Sequence, residues 1–190
     1  MKLNRYTIGL VYPALLLTLF LICFIFLPAI AKENERENYL KAIMPNMIDY
    51  ITEVTDLEYN GYPLPNIYVE EEKLICEGAY FEPRETCDIA GYYDDEKNNI
   101  HIRDTPTLYM TEDRFQEVVL VHELVHFLQY HEGVYEQVEC RQNLEELAYK
   151  VQDNYIDLQG IDPTQKVDGL FAIISTLCPH RYPLFFMEEQ

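Results

Sequence analysis

The sequence has no tryptophan and only 7 glycines, and no stretch of it is repeated or of low complexity. That excludes collagen-like chains, flexible linkers and solenoid repeats. Basic residues are scarce: 14 Lys and Arg stand against 33 Asp and Glu, for a formal net charge of −19. A nucleic-acid binder needs a basic face, and an anionic lipid surface repels a chain of this charge, which argues against both as partners. Hydrophobic residues at 48% and aromatics at 13% are too many for a disordered chain. The 5 cysteines include no C-x-x-C pair, so no zinc knuckle is expected, and no EF-hand loop occurs.

A second absence is local. Residues 6–31 contain no charged residue, histidine or side-chain amide, while Lys2 and Arg5 precede them and all 33 acidic residues follow. A basic cap, an apolar run and then Leu27-Pro28-Ala29-Ile30-Ala31 is the layout of a secretory signal, with Ala29 and Ala31 as the small residues at the cleavage site. The run also exceeds the roughly 20 residues that span a bilayer as a helix, so a retained anchor through residues 6–31 is the alternative. In both cases Lys2 and Arg5 stay in the cytoplasm and the rest is exported, to a periplasm, a cell envelope or the outside. The expected organisation is a signal or anchor over residues 1–31 and one exported domain over residues 32–190, large enough to bury its own core. Cys76, Cys87, Cys140 and Cys178 all fall in that domain. An even number in an oxidising compartment suggests two disulfides, and proximity favours Cys76–Cys87 and Cys140–Cys178.

Within the domain, residues 36–56 carry Leu40, Ile43, Met47, Ile48, Ile51 and Val54 near helical period, with Pro45 expected to kink or split the helix. Asn60-Gly61, Pro63 and Pro65 mark a turn. Ile67-Tyr68-Val69 reads as a strand and Leu74 to Tyr80 as another, with Glu70-Glu71-Glu72 a solvated loop between them. A hairpin follows: Ile89 to Tyr93, a polar loop from Asp94 to Asn99, and Ile100 to Arg103. Residues 112–131 are the strongest helix, with Thr111 as N-cap and Glu112 and Asp113 in the first turn. Residues 141–159 form the next, closed by Gly160, and Asp162-Pro163 opens a last one that runs to about Leu177. A helix, a small sheet and then helices make an α+β plan. The fourteen tyrosines beyond residue 31 suit amphipathic packing, and the acidic surplus suits a solvated surface.

The chemistry concentrates in Val118 to Leu128, VVLVHELVHFL, where His122, Glu123 and His126 are the only polar residues. A helix this apolar is buried on most sides, and polar groups buried there need partners. Imidazoles at i and i+4 lie one above the other on one face, a spacing at which both can bind a single ion. Glu123 is rotated about 60° from His126, so it faces the space beside the ion without being a ligand. This is H-E-x-x-H, the pattern of zinc-dependent hydrolases. Such a site needs a third protein ligand and an open fourth position. His131 lies too far along the same helix to converge with the pair, and His180 follows the last helix. Glu145 and Glu146 are better placed. The expected buried face of their helix is Leu144, Leu147, Ala148, Val151, Tyr155 and Leu158. Glu145 lies about 110° from its centre and Glu146 about 150°, so Glu145 sits at the edge of the face and is preferred.

His122-Glu123-x-x-His126, 18 residues and then Glu145 in the pattern E-x-x-A-Y resembles the gluzincin clan of metallopeptidases, the thermolysin-like group. The resemblance covers mainly residues 89–159 and implies a minimal zincin-like core with no large carboxy-terminal domain. It departs from small gluzincins at Tyr149, where an Asp or Asn commonly stands four residues after the glutamate. The implied activity is peptide-bond hydrolysis in an exported zinc enzyme. Zn²⁺ would be held by His122, His126 and Glu145, Glu123 would act as general base, and the partner would be a peptide or protein substrate. Tyr149, Tyr135, His131 and His180 are candidates for the oxyanion donor. The resemblance also implies an edge strand before the motif helix that receives the peptide backbone, by position Ile100 to Arg103 or Tyr92-Tyr93. His101, on or near it, reads as a surface strand residue. The competing reading is a module that keeps the metal-binding fold but cleaves nothing. Intact Glu123 speaks against it, because a purely structural metal has no need of that acid.

Overall fold

The computed structural model describes residues 35–80, 86–105, 114–162, 166, 173 and 175–178. The chain divides into two compact units, Met1–Asn38 and Tyr39–Gln190. Of the first, only residues 35–38 are described, and they are helical. No helix among the described residues is long and apolar enough to cross a membrane, and the segment 6–31 lies outside them. All that follows concerns the second unit.

Helix α1 covers residues 39–54 of that unit. It buries Leu40, Met44, Met47, Ile48 and Ile51, a stripe at helical period. Pro45 does not split it. Pro45 lies on the exposed face, where its ring meets solvent and not the core. Val54, expected on the buried stripe, is exposed instead.

Three strands follow: β1 (Asn66–Glu70), β2 (Gly91–Asp94) and β3 (Asn99–Arg103). The expected hairpin is present as β2–β3, antiparallel, while β1 runs parallel on the other side of β3. Asn98 closes the hairpin turn at φ 53°, a conformation that asparagine tolerates better than most residues. Its side chain bonds the Tyr93 hydroxyl and the Pro63 carbonyl. Strand alternation sends Ile67, Val69, Ile100 and Ile102 into the core. On the opposite face His101 lies between the rings of Tyr68 and Tyr92, at 5.3 and 4.6 Å, with Nδ1 2.8 Å from Glu70.

Two expectations are corrected here. The segment expected to be a second strand is helix α2 (Glu72–Tyr80). Leu74-Ile75-Cys76 is a short apolar run compatible with either form. The helix wins because the Glu71 carbonyl accepts the Ile75 N–H, Lys73 and Glu77 pair at i and i+4, and the neighbours Ile75 and Cys76 are buried together. Gly78 lets the Tyr92 hydroxyl approach where any side chain would collide with it. Nor is Glu70-Glu71-Glu72 a solvated loop: Glu70 ends β1 on His101, and Glu72 opens α2 paired with Arg103 at 2.6 Å.

Helix α3 (Phe115–His131) is buried from Phe115 to Gln129 and packs against β2, β3 and helix α4 (Glu145–Leu158). It starts after Arg114; Thr111, Glu112 and Asp113 lie outside the described residues, as does most of the expected helix 162–177. Gly133, at φ 69°, turns the chain back towards α4, and Arg141–Leu144 make one 3₁₀ turn before the α-helix proper. The buried face of α4 is Ala148, Val151, Gln152, Tyr155 and Ile156, whereas Leu158, expected on it, is exposed. The whole is a mixed α+β unit whose core is shared by α1, the inner sheet face, α3 and α4.

Two further features join distant elements. Glu117 of α3 is buried but accepts hydrogen bonds from Arg114, Tyr39 and Tyr155. Burial alone would raise its pKa, yet those donors hold it below the ordinary value, so it stays ionised. Disulfides Cys76–Cys87 and Cys140–Cys178 are both formed, in the pairing that proximity favours.

Candidate metal centre

His122 and His126 project from one face of α3, and the turn at Gly133 brings the first residue of α4 opposite them. The two Nε2 atoms lie 3.1 Å apart. Glu145 places Oε2 3.1 Å from His122 Nε2 and Oε1 3.3 Å from His126 Nε2. Two donors each 2.0–2.1 Å from a tetrahedral ion are separated by about 3.3 Å; the imidazole pair and each imidazole–carboxylate contact approach that spacing, and taken one atom per side chain the three ligand atoms lie within 4.8 Å of one another. His122, His126 and Glu145 are the group of ligand-type side chains among the described residues that could hold a metal ion. Glu146, the rejected alternative, is exposed.

The other imidazole nitrogens decide whether the lone pairs point inward. His122 Nδ1 is 3.0 Å from Gln152 Oε1, and His126 Nδ1 is 2.9 Å from Gln129 Oε1. An amide oxygen only accepts, so each Nδ1 donates to its glutamine, and each Nε2 faces Glu145 and the other imidazole, where it can bind a metal once it carries no proton of its own. Sequence reasoning missed both glutamines. The signal was there: Gln129 is i+3 from His126 and Gln152 is i+7 from Glu145, each on the same face as its ligand. Tyr149, standing where the resembling family has an acid, packs its ring 4.8 Å from that of His122. The partner that the position would have supplied comes from Gln152 instead.

The electrostatics are those of a site made for positive charge. Burial would raise the Glu145 pKa, but hydrogen bonds from both histidines hold it well below the carboxylate range. Burial would lower His126, but the hydrogen bond and charge of Glu145, then the charge of Glu123, push it up to about 9. Below that value a metal bound here would have to displace this proton, so any uptake would strengthen as pH rises. Glu123 is shifted upward by burial and further by Glu145, partly offset by both histidines and by the backbone N–H of Tyr93 on β2.

Gly91 governs how closely β2 approaches Glu123. A Cβ there would meet Val119 Cγ1 at 2.6 Å, the His101 carbonyl at 2.7 Å and Glu123 Oε1 at 3.5 Å. The Gly91→Ala chain should lose about 1–3 kcal/mol of stability, because neither contacted element can yield easily. A denaturant midpoint equal to that of the parent would show that β2 moves freely.

Of the oxyanion-donor candidates, Tyr149 and Tyr135 both feel the charges of Glu123 and Glu145. Burial, then Glu145, pushes Tyr149 up to about 12, and Tyr135 carries Arg141 5.3 Å above its ring. His131, the last residue of α3, instead stacks on Tyr62 at 4.3 Å, and His180 lies outside the described residues. His101 is on the sheet face turned away from α3, bound to Glu70.

Residues 40–183 match a family described as a domain of unknown function, DUF6647, and the chain belongs to that family. Neither a curated protein nor a solved structure matches the chain significantly.

Proposed function

We propose that the chain is an exported zinc-dependent peptidase of gluzincin type. The observation that carries this reading is the convergence of His122, His126 and Glu145, whose ligand atoms lie within 4.8 Å of one another, with the buried carboxylate of Glu123 beside the two histidines on α3. Zinc held by His122, His126 and Glu145 would polarise the scissile carbonyl and make water acidic near neutral pH. Glu123 would act as general base towards the attacking water and return the proton to the leaving nitrogen. Its raised pKa suits a group that must both accept and return a proton. The Tyr93 backbone fixes its carboxylate, and Gln129 and Gln152 orient the two imidazoles. Two disulfides support an oxidising, exported setting, with residues 6–31 as cleaved signal or membrane anchor and a peptide or protein as substrate.

The test is metal content and cleavage measured together on the full-length chain. About one zinc per chain is expected, with hydrolysis of a peptide library that a chelator abolishes and added zinc restores. His126→Ala should lose both. Zinc without cleavage of any library member would leave a metal-binding module, and folded protein without zinc would overturn the metal site itself.

A further inference from the structure

The two amides that hold the imidazoles are not equivalent. Gln152 meets His122 through its oxygen, and its amide nitrogen has no acceptor among the described residues. Gln129 is engaged at both ends: Oε1 accepts from His126 Nδ1 at 2.9 Å, and Nε2 donates to the Leu144 carbonyl at 3.0 Å. Both glutamines are almost fully buried, Gln129 at 2% and Gln152 at 4% exposure, so water cannot easily replace a lost partner. Leu144 is the residue immediately before Glu145 at the start of α4. A carbonyl can only accept, so it forces the Gln129 nitrogen towards itself and the oxygen towards His126. The chain of contacts runs from an imidazole on α3 through one carboxamide to the backbone that carries the carboxylate on α4.

We infer that Gln129 is a positioning residue that locks His126 and Glu145, ligands on two different helices, into one geometry, whereas Gln152 orients His122 alone. The inference rests on the metal-site reading above. It makes a distinction that a general supporting role would not. A carboxylate at position 152 can accept the His122 proton as well as an amide does, giving the carboxylate–histidine arrangement common around zinc. A carboxylate at position 129 can still accept from His126 but cannot donate to Leu144. It would set two acceptors against each other in a buried place, pushing the start of α4 away or capturing a proton.

The experiment compares the full-length parent with Gln129→Met, Gln129→Glu, Gln152→Met and Gln152→Glu. Zinc affinity is measured by competition with a chelator, and circular dichroism verifies the fold. Methionine at either position should weaken zinc about ten- to a hundredfold. Gln152→Glu should recover affinity to within about threefold of the parent, while Gln129→Glu stays at least about tenfold weaker. The second readout is the imidazole tautomer by nitrogen NMR on the metal-free chain, at a pH high enough that the spectrum itself shows both imidazoles neutral. The parent should show the proton of His126 on Nδ1, and Gln129→Met a mixture of tautomers. Equal affinities for the two glutamate variants, parent affinity in Gln129→Met, or a parent proton on Nε2 would each overturn the inference. A parent that takes up no zinc would overturn the metal reading alone. The tautomer spectra would then still decide the Gln129 contact, in the parent even if Gln129→Met does not fold.

Discussion

A chain carrying Glu123→Gln should bind zinc as the parent does and hydrolyse peptides about 10²–10⁴ times more slowly, the usual contribution of a general base. On the proposed reading the ligand atoms belong to His122, His126 and Glu145, so replacing Glu123 would remove no bond to the ion. The substitution is isosteric and keeps an oxygen for the Tyr93 N–H. Its effect on stability has the opposite sign to its effect on rate. Glu123 is buried, and its folded pKa is raised, by burial first and then by Glu145. A carboxyl with a raised folded pKa contributes stability below its unfolded value and loses it as pH rises through the folded value. In the metal-free chain at neutral pH, the glutamine variant should therefore be at least as stable as the parent, with the advantage growing as pH rises across that window. Chelator competition, peptide turnover and urea midpoints at several pH values measure the three quantities. Unchanged turnover with zinc bound would remove Glu123 from the chemistry, and lost zinc would make it a ligand.

The second large effect expected is on folding. Cys140 and Cys178 are separated by 38 positions in sequence. Closing a loop of that length in the unfolded chain is worth about 4 kcal/mol on the chain-entropy account, against about 3 for the shorter Cys76–Cys87 loop. Domains commonly have only about 5–15 kcal/mol in all. Cys140 opens the 3₁₀ turn that delivers Glu145, and Asn143 bonds the Thr176 carbonyl across the same junction. A chain with Cys140→Ser and Cys178→Ser should lose about 3–4 kcal/mol in chemical denaturation, and reductant should lower the parent at least as far, because it opens both disulfides. It should also bind zinc more weakly, since the start of α4 is less constrained. A loss under about 1 kcal/mol would mean that the reduced chain holds the junction by Asn143 and packing alone.

What could be anticipated from residues alone was set by whether a local pattern had a single physical solution. Eleven nearly unbroken apolar residues around His122, Glu123 and His126 leave no alternative to a buried helix. The angular position of Glu145 on its own helix was enough to prefer it to Glu146, and the structure brings that residue to the two imidazoles. The hairpin and both cysteine pairings followed from short-range spacing. Leu74 to Tyr80 failed because three adjacent apolar residues satisfy a strand or a helix, and only the Glu71 carbonyl and the Lys73–Glu77 pair tip the balance. Leu158 failed because α4 presents Gln152 and Ile156 to the core in its place. A buried glutamine looks like a surface residue until the histidine it serves is known. That is why both imidazole partners went unseen although their spacing was in view.

The parallel pairing of β1 with β3 bears on the order in which the protein can assemble. β2 and β3 are joined by a turn of a few residues and can zip together on the timescale of an isolated hairpin, microseconds. β1 must find β3 across the stretch from Asn66 to Asn99, and nothing rewards that search until both strands are aligned. The Cys76–Cys87 bond lies wholly inside this stretch. Once oxidised, it shortens the path that the chain must close, so the compartment that supplies the oxidant also favours the more distant of the two strand pairings among the described residues.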